Sequence, residues 1–169
     1  MLKIGLLGAG RIGQVHAAAI SAHPDSVLAA VSDVYVPAAE ALAKPYDAAV
    51  KSSDEIIADS AIDAVLVATS TDTHSDLIEA ATRAGKAVLC EKPVDLSLAR
   101  ARVCLANAEQ TGQPVMVGFN RRFDPNFALI KRVLLQGRLA RLSCCLSHHL
   151  IRPRRQSLTS RSLAGCFVI

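Results

Sequence analysis

Residues 2–13 read Leu-Lys-Ile-Gly-Leu-Leu-Gly-Ala-Gly-Arg-Ile-Gly, an apolar run that leads directly into three glycines with the spacing G-x-G-x-x-G. The first six of these residues have the length and composition of a buried β-strand, and the residues after the glycines continue with helical character to Ala22. The spacing has a physical cause, because Gly8 permits a tight turn and Gly10 leaves space beside the backbone. Gly13 lets the helix pack closely against the strand. The stretch therefore predicts a strand, a phosphate-binding turn and a helix.

A dinucleotide fits this turn, because the free amide groups and the positive end of a helix dipole attract phosphates. Asp33 lies twenty residues after Gly13, at the end of the second predicted strand. A carboxylate there accepts hydrogen bonds from the adenosine ribose hydroxyls and repels a 2′-phosphate, and no Lys or Arg occurs at positions 34–36. These features favour NAD over NADP, and the alternative is a glycine-rich loop with a surface aspartate. The predicted cofactor-binding residues here are Gly8, Gly10, Arg11, Ile12, Gly13 and Asp33.

Strand-like and helix-like segments alternate along the chain as far as residue 135. The predicted strands are 2–7, 26–32, 48–50, 64–68, 87–90 and 115–118, and the predicted helices are 11–22, 37–43, 53–59, 73–84, 97–110 and 126–135, with Ser53 as the N-cap of the third helix. This order predicts an α/β fold with a parallel sheet, helices on both faces and right-handed crossovers. Together with the glycine turn it indicates a doubly wound Rossmann fold.

Composition sets limits on the class of protein. Of the 169 residues, 51% are apolar and 20% are charged, which is typical of a folded globular domain. No apolar run approaches the roughly 20 residues that a membrane-spanning helix needs, so we expect no membrane partner. The apolar N-terminal run is too short for a signal peptide. The expected location is therefore the cytoplasm.

The charge is distributed unevenly. Residues 138–169 contain six arginines and no acidic residue, whereas all 15 Asp and Glu residues precede them. A basic tail is compatible with nucleic acid, but Phe167 is its only aromatic residue and no groove-binding pattern is present, so no nucleic-acid partner is expected. The five cysteines form no C-x-x-C pair and have no matching histidine spacing. We therefore expect no bound metal.

Polar residues follow two more of the predicted strands. Residues 69–74 read Thr-Ser-Thr-Asp-Thr-His after the fourth strand, and residues 91–93 read Glu-Lys-Pro after the fifth. Ligands of open α/β sheets bind beyond the carboxyl ends of the strands. A lysine beside nicotinamide can bind a substrate hydroxyl and steer its proton, but Lys92 is equally compatible with an ordinary surface lysine before a loop. For His16, a packing or surface role is favoured over a functional one.

The combined motifs resemble those of the Gfo/Idh/MocA oxidoreductase family, and within it those of the inositol dehydrogenases. The resemblance rests on residues 8–13, Asp33, residues 69–74, residues 91–93, and the Gly-Phe-Asn-Arg-Arg-Phe-Asp run at 118–124, and it extends to about residue 139. It implies an NAD-binding Rossmann domain followed by a C-terminal α/β domain with a large open sheet. It also implies hydride transfer from the hydroxyl-bearing carbon of a polyol or sugar to nicotinamide.

The resemblance also implies roles for individual residues. Lys92 would be catalytic, Glu91 would line the nicotinamide site, Thr69 and His74 would contact the cofactor, and Asn120 and Arg122 would lie near the substrate. The Lys92–Pro93 bond is often cis in the family, and Arg121 and Asp124 are equally compatible with a structural ion pair and with a role near the substrate. A non-catalytic NAD-binding or regulatory module and a related sugar dehydrogenase remain alternatives. Oligomers are expected only for a full-length protein, because the family assembles through its second domain.

Three segments follow from this comparison: a cofactor domain over 1–120, the start of a link to a second domain over 121–139, and an aberrant tail over 140–169. Shifted back by one nucleotide, codons for the tail can read Gly-Glu-Val over 139–142, Asp-Pro-Ala-Pro-Pro-Pro over 151–156, and Ser-Gly-Gly-Leu-Phe-Arg-Asp over 163–169. These are segments that the family has, in its order. An Asp-Met codon pair, GAT-ATG, read one base later gives ATA for Ile169 and then the stop codon TGA if the next base is A. We therefore expect the tail to be a frameshifted translation without packed structure, and the chain to lack the family's catalytic Asp and His. The truncated chain is then expected to retain NAD binding at most and to lack turnover.

Resequencing the gene across the codons for Gln136 to Arg141 tests this frameshift. We expect one base to be gained or lost there, so that the restored frame continues into the second domain. An unaltered reading frame through the stop after Ile169 would contradict the prediction.

Overall fold

A computed structural model describes residues 1–135 of the chain. Its six strands are β1 (Leu2–Leu7), β2 (Ser26–Ser32), β3 (Ala49–Val50), β4 (Ala64–Val67), β5 (Ala87–Cys90) and β6 (Val115–Val117). Its six α-helices are α1 (Arg11–Ala22), α2 (Val36–Ala43), α3 (Ser53–Ala58), α4 (His74–Arg83), α5 (Leu98–Thr111) and α6 (Pro125–Leu135). Short 3₁₀ turns occur at Lys44–Tyr46, Thr71–Thr73 and Asn120–Phe123. The predictions made for residues 140–169 lie outside the described residues.

The six strands form one sheet in the order β3-β2-β1-β4-β5-β6, and each neighbouring pair is parallel. The chain moves outward from β1 to β3 and then returns to the other side of β1 to add β4, β5 and β6. The strand order therefore reverses between β1 and β4, which is where open α/β sheets bind their ligands. The predicted doubly wound Rossmann fold is confirmed.

Both faces of the sheet are buried, because neighbouring residues on a strand point to opposite faces. On β1, Leu6 belongs to a cluster formed with α1 and α2, and Leu7 belongs to a cluster formed with α3, α4 and α5. Both leucines have no exposed surface. This double burial is the reason why the central strands read as continuous apolar runs in the sequence.

The ends of the helices are determined by capping hydrogen bonds and glycine conformation, which the sequence predicts only in part. The prediction of Ser53 as the N-cap of α3 is wrong, because Ser52 occupies that position and Ser53 is the first helical residue. The Ser52 hydroxyl accepts the Glu55 amide while the Glu55 carboxylate accepts the Ser52 amide, a reciprocal capping box. The C-terminal end of α5 is capped by Gly112, as predicted. Its φ of 71° lies in the left-handed region, which glycine adopts without strain.

A buried charge network joins α4 to α5 behind the centre of the sheet. Glu79 is buried, and its carboxylate pairs with the guanidinium groups of Arg83 and Arg100. Arg100 also reaches Asp76 at 2.6 Å. Because the buried Glu79 carboxylate has two arginine partners, the network links α4 to α5 without an uncompensated buried charge. The first residue of α4 is His74, so this network also supports one of the predicted site residues.

Residues 1–118 form one compact unit, and residues 119–135 are the described part of a second. In the second unit, the Arg121 guanidinium lies 3.6 Å from a carboxylate oxygen of Asp124 and 5.1 Å from the centre of the Phe127 ring. An ion pair between these residues is thus present, and Asp124 also accepts the amide N–H of Asn126 at 2.9 Å at the start of α6.

Within residues 1–135, no helix is long and apolar enough to cross a bilayer. The same residues contain no group of three or more His, Cys, Asp or Glu side chains arranged to hold a metal ion.

The buried thiol at the end of β5 makes stability depend on pH. Burial raises the pKa of Cys90 from 9.0 to about 12, with nearby Cys104 and Glu91 contributing in the same direction. The neutral thiol stabilises the fold fully below pH 9.0, and this contribution is lost as the pH rises from 9.0 towards 12, because only the unfolded chain then loses the proton. The free energy of unfolding of the wild type should therefore fall more steeply across this range than that of Cys90→Ala.

Urea denaturation of both proteins on either side of pH 9.0 checks this expectation. If the difference in unfolding free energy between the wild type and Cys90→Ala stays constant as the pH rises above 9.0, the prediction is contradicted.

Candidate functional site

The ends of five strands meet at one edge of the sheet, and backbone hydrogen bonds extend past the strands to fix them. These bonds run from Gly8 N to Ser32 O at 2.7 Å, from Ala68 N to Leu7 O at 2.7 Å, from Glu91 N to Val67 O at 2.9 Å, and from Gly118 N to Cys90 O at 2.8 Å. As a result, the glycine turn, Asp33, Thr69 and Glu91 follow one another along the carboxyl edge. This edge, from residue 8 to residue 118, is the candidate site.

The glycine turn is shaped by contacts that leave no room for side chains. Gly8 has φ of 102°, and a Cβ placed on it would overlap the carbonyl oxygen of Ala68. A Cβ on Gly13 would overlap the carbonyl oxygen of Gly8. Gly10 differs from both, because a Cβ there would have no neighbouring atom within 4 Å. Gly8 and Gly13 are therefore required by the protein's own packing, whereas Gly10 keeps open space in front of the helix.

The start of α1 faces this open space. Gly10 is the N-cap residue of α1, and no side chain accepts a hydrogen bond from the first turn. Arg11 and Ile12 are the first two helical residues, and both are exposed. The first amides of a helix have no partner within the helix and carry its positive partial charge. Their position suits the pyrophosphate of a dinucleotide.

Asp33 lies beside this turn, and the backbone on both sides of it fixes its carboxylate. Oδ2 accepts the amide N–H of Ala9 at 2.7 Å, and Oδ1 accepts that of Tyr35 at 2.9 Å. Each oxygen can accept a further hydrogen bond, so a ribose diol could bind to a carboxylate that is already oriented. Val34 and Tyr35 follow Asp33 with largely exposed side chains, and they form an apolar surface next to it that the sequence reasoning did not include.

Thr69 and His74 lie together after β4, and their polar atoms are already used. The Thr69 hydroxyl contacts the Thr73 hydroxyl at 2.7 Å. His74 is 2% exposed, with Nδ1 2.7 Å from the carbonyl oxygen of Pro93 and Nε2 3.1 Å from that of Thr69. The imidazole thus ties the loop after β4 to the loop after β5. Contact of these two side chains with the cofactor stays a prediction.

The Glu-Lys-Pro segment begins where β5 ends. The Lys92–Pro93 bond is cis, as the resemblance implied, and the Lys92 side chain is exposed. The Glu91 carboxylate is partly covered and contacts Nε2 of His16, on α1, at 2.8 Å. Sequence reasoning favoured a packing or surface role for His16. Its helical position after Gly13 was the one available signal, because the partner is 75 residues away.

The predicted substrate residues belong to the second unit. Asn120 and Arg122 lie in the 3₁₀ turn Asn120–Phe123, and both are exposed. Their role near the substrate stays a prediction.

The residues at this edge fit a dinucleotide on three independent grounds. Open space lies where a Gly10 side chain would be, the amides of a helix start face that space, and a fixed carboxylate stands beside it. The first two features suit the phosphates, and the carboxylate suits an adenosine ribose without a 2′-phosphate. The thiol of Cys90 is buried behind the edge, so it takes no part in the site.

Comparison with known proteins agrees with this geometry. Residues 2–119 match the Gfo/Idh/MocA family model, described as an oxidoreductase family with an NAD-binding Rossmann fold. Over 138 residues the chain is 51% identical to inositol 2-dehydrogenase from Rhizobium meliloti, covering 82% of this chain and 42% of that protein. It is 37% identical over 142 residues to myo-inositol 2-dehydrogenase from Thermotoga maritima, covering 83% and 42%.

A solved structure extends the likeness to three dimensions. Scyllo-inositol dehydrogenase from Lactobacillus casei, crystallised with NAD(H) and scyllo-inositol, superposes with a TM-score of 0.78 at 28% identity. The match covers 83% of this chain and 42% of that one. The chain thus spans about two fifths of the length of the relatives it matches. The resemblance inferred from the sequence motifs is confirmed.

Gly10 and Gly13 should respond differently to the same added methyl group. Gly10→Ala should leave the unfolding free energy near that of the wild type while weakening NAD binding by about tenfold or more, since ~1.4 kcal/mol of lost binding is tenfold. Gly13→Ala should destabilise the fold by about 1–3 kcal/mol, because the added Cβ meets backbone that cannot move aside. Urea denaturation and titration calorimetry with NAD measure the two effects. Equal loss of stability in both variants would contradict this division.

Proposed function

This chain belongs to the Gfo/Idh/MocA oxidoreductase family, and on that premise we propose that it forms the cofactor-binding part of an NAD-dependent dehydrogenase that oxidises a ring hydroxyl of an inositol-type polyol. One observation carries the proposal. Lys92 stands at the end of β5, on the same sheet edge as the glycine turn and Asp33. The Lys92 side chain and the turn that suits a dinucleotide thus belong to one continuous edge.

The preference for NAD is supported by the surroundings of Asp33. Two backbone amides hold its carboxylate toward the position of the adenosine ribose, and no Lys or Arg occurs at positions 34–36. A 2′-phosphate there would meet a fixed negative charge without a compensating cation. Val34 and Tyr35 would offer an apolar surface to the adenine.

Lys92 is the proposed catalytic residue. Bound NAD would supply the acceptor for a hydride from the hydroxyl-bearing carbon. The Lys92 amine would bind the hydroxyl group on this carbon and help to remove the hydroxyl proton, which is general-base assistance. Glu91 would line the same end of the cofactor, and Thr69 would lie between this end and the phosphates.

The substrate class is inferred from the relatives, which are named for inositol oxidation. We propose a cyclic polyol as the substrate, with Asn120 and Arg122 contacting its hydroxyls. NAD and this polyol are the proposed small-molecule partners. The buried free thiols of Cys90 and Cys104 suit a reducing compartment, which supports a cytoplasmic location.

Binding and turnover should be measured separately on the full 169-residue chain. Titration calorimetry should show NAD binding more tightly than NADP, and Asp33→Ser should reduce this preference. With myo-inositol and scyllo-inositol as substrates, NADH absorbance follows turnover. Any NADH formation that the wild-type chain shows should fall by roughly 100-fold or more in Lys92→Gln, the range for loss of a general base, while NAD still binds.

Lys44→Gln is the matched control, because Lys44 is an exposed lysine in the 3₁₀ turn after α2 and should leave both measurements unchanged. NAD binding without NADH formation from any polyol is the result expected of a chain that lacks the family's catalytic Asp and His, and it equally fits the alternative of a non-catalytic NAD-binding module. Tighter binding of NADP than of NAD would contradict the assignment of Asp33.

A further inference from the structure

One contact joins two parts of the site that are far apart in the sequence. His16 lies in the second turn of α1, and its Nε2 is 2.8 Å from Oε1 of Glu91 at the end of β5. Both side chains are largely covered, with 21% and 23% of their surface exposed. An ionised carboxylate can only accept a hydrogen bond, so the imidazole Nε2–H is the donor.

The rest of the Glu91 carboxylate is confined as well. Oε2 accepts the backbone N–H of Lys92 at 3.2 Å. Gly118, just after β6, lies against the same group, because a Cβ on it would be 3.1 Å from Oε1 and 3.3 Å from Oε2. The carboxylate is therefore enclosed by α1, by its own following peptide and by the residue after β6. The peptide that it holds is the one that starts the Lys92 segment.

We propose that His16 is a positioning residue, which fixes the Glu91 carboxylate and, through it, the backbone of Lys92 beside the nicotinamide end of the cofactor. The inference rests on the proposed function for the location of nicotinamide next to Glu91 and Lys92. The first turn of α1 offers its amides to the pyrophosphate, and His16 lies one turn further along. A single rigid helix thus relates the phosphate contacts to the orientation of the Lys92 segment.

This role can be distinguished from simple stabilisation of the helix. ADP contains the adenosine and phosphate groups of NAD but no nicotinamide, so its binding depends on the glycine turn and Asp33 alone. A helix disturbed as a whole would bind ADP and NAD equally badly. Loss of positioning at Glu91 would weaken NAD and leave ADP unchanged.

The test uses the full chain with His16→Leu and His16→Gln. Leucine removes the donor, whereas glutamine carries an amide N–H₂ at a similar reach from the helix. His16→Leu should weaken NAD binding by about tenfold, the loss expected for a hydrogen bond to a charged group, and leave the ADP dissociation constant unchanged. His16→Gln should restore most of the NAD affinity.

A second readout needs no cofactor. In ¹H–¹⁵N spectra of the chain without nucleotide, the Lys92 amide should shift in His16→Leu and return towards its wild-type position in His16→Gln. Glu91→Gln should shift the same amide, and adding His16→Leu to it should cause little further change, because both substitutions break one chain of contacts. His23→Leu is the control: the His23 ring, at the other end of α1, accepts the Asp25 amide at 3.2 Å, so its loss should leave the Lys92 amide in place.

The outcomes separate the two proposals. If the wild type fails to bind NAD, the proposed function is wrong, and the Lys92 amide shift in the nucleotide-free chain still decides the role of His16. An unshifted Lys92 amide in His16→Leu, or equal weakening of ADP and NAD, would overturn the positioning role.

Discussion

The close approach of strand β1 to helix α1 is the constraint on which the rest of the site depends. Space for a Cβ is absent on Gly8, which faces the Ala68 carbonyl, and on Gly13, which faces the Gly8 carbonyl. Because these contacts are between backbone atoms, the helix start cannot move away without separating the strand ends. The position of the first helical amides relative to β1 and β4 is thus set by packing and not by flexible side chains. A phosphate-binding site of this kind is organised before any ligand arrives.

Parallel strand pairing places the other polar groups along the same edge as the glycine turn. Parallel pairing of β4 with β1 and of β5 with β4 brings residues 68 and 91 to the same level as the glycine turn. The strand order reverses between β1 and β4, the point at which open α/β sheets bind their ligands, and Asp33 follows β2 on one side of it while Lys92 follows β5 on the other. Each polar group is attached to a strand whose register is fixed by buried apolar neighbours on both faces. The geometry of the edge therefore depends on the burial of Leu6 and Leu7 on opposite faces of β1, directly before the glycine turn.

Histidines connect the loops that this geometry brings together. The ring nitrogens of His74 contact the carbonyl oxygens of Thr69 and Pro93, and His16 connects α1 to the carboxylate of Glu91. A loop held at one end by a strand and in its middle by a side-chain contact has few alternative conformations. The loops after β4 and β5 thus gain from side chains the order that the glycine turn has from backbone contacts. This arrangement suits chemistry that needs a lysine held close to a bound cofactor.

The sequence by itself determined the glycine turn, the order of strands and helices, Asp33 and the Glu-Lys-Pro segment, because each depends on neighbouring residues or on a short period. It also contained the stop of α5 at Gly112, where a positive φ requires glycine. The cap of α3 was misplaced by one residue, since adjacent Ser52 and Ser53 differ only in which hydroxyl faces the Glu55 amide. Only the tertiary structure decided the partners of His16 and His74, because their contacts cross 75 and 19 residues of chain and depend on the register of packed strands. A local sequence pattern indicates which residues can form a turn or a helix. Which side chains meet at the edge of the sheet depends instead on the order in which the strands pair.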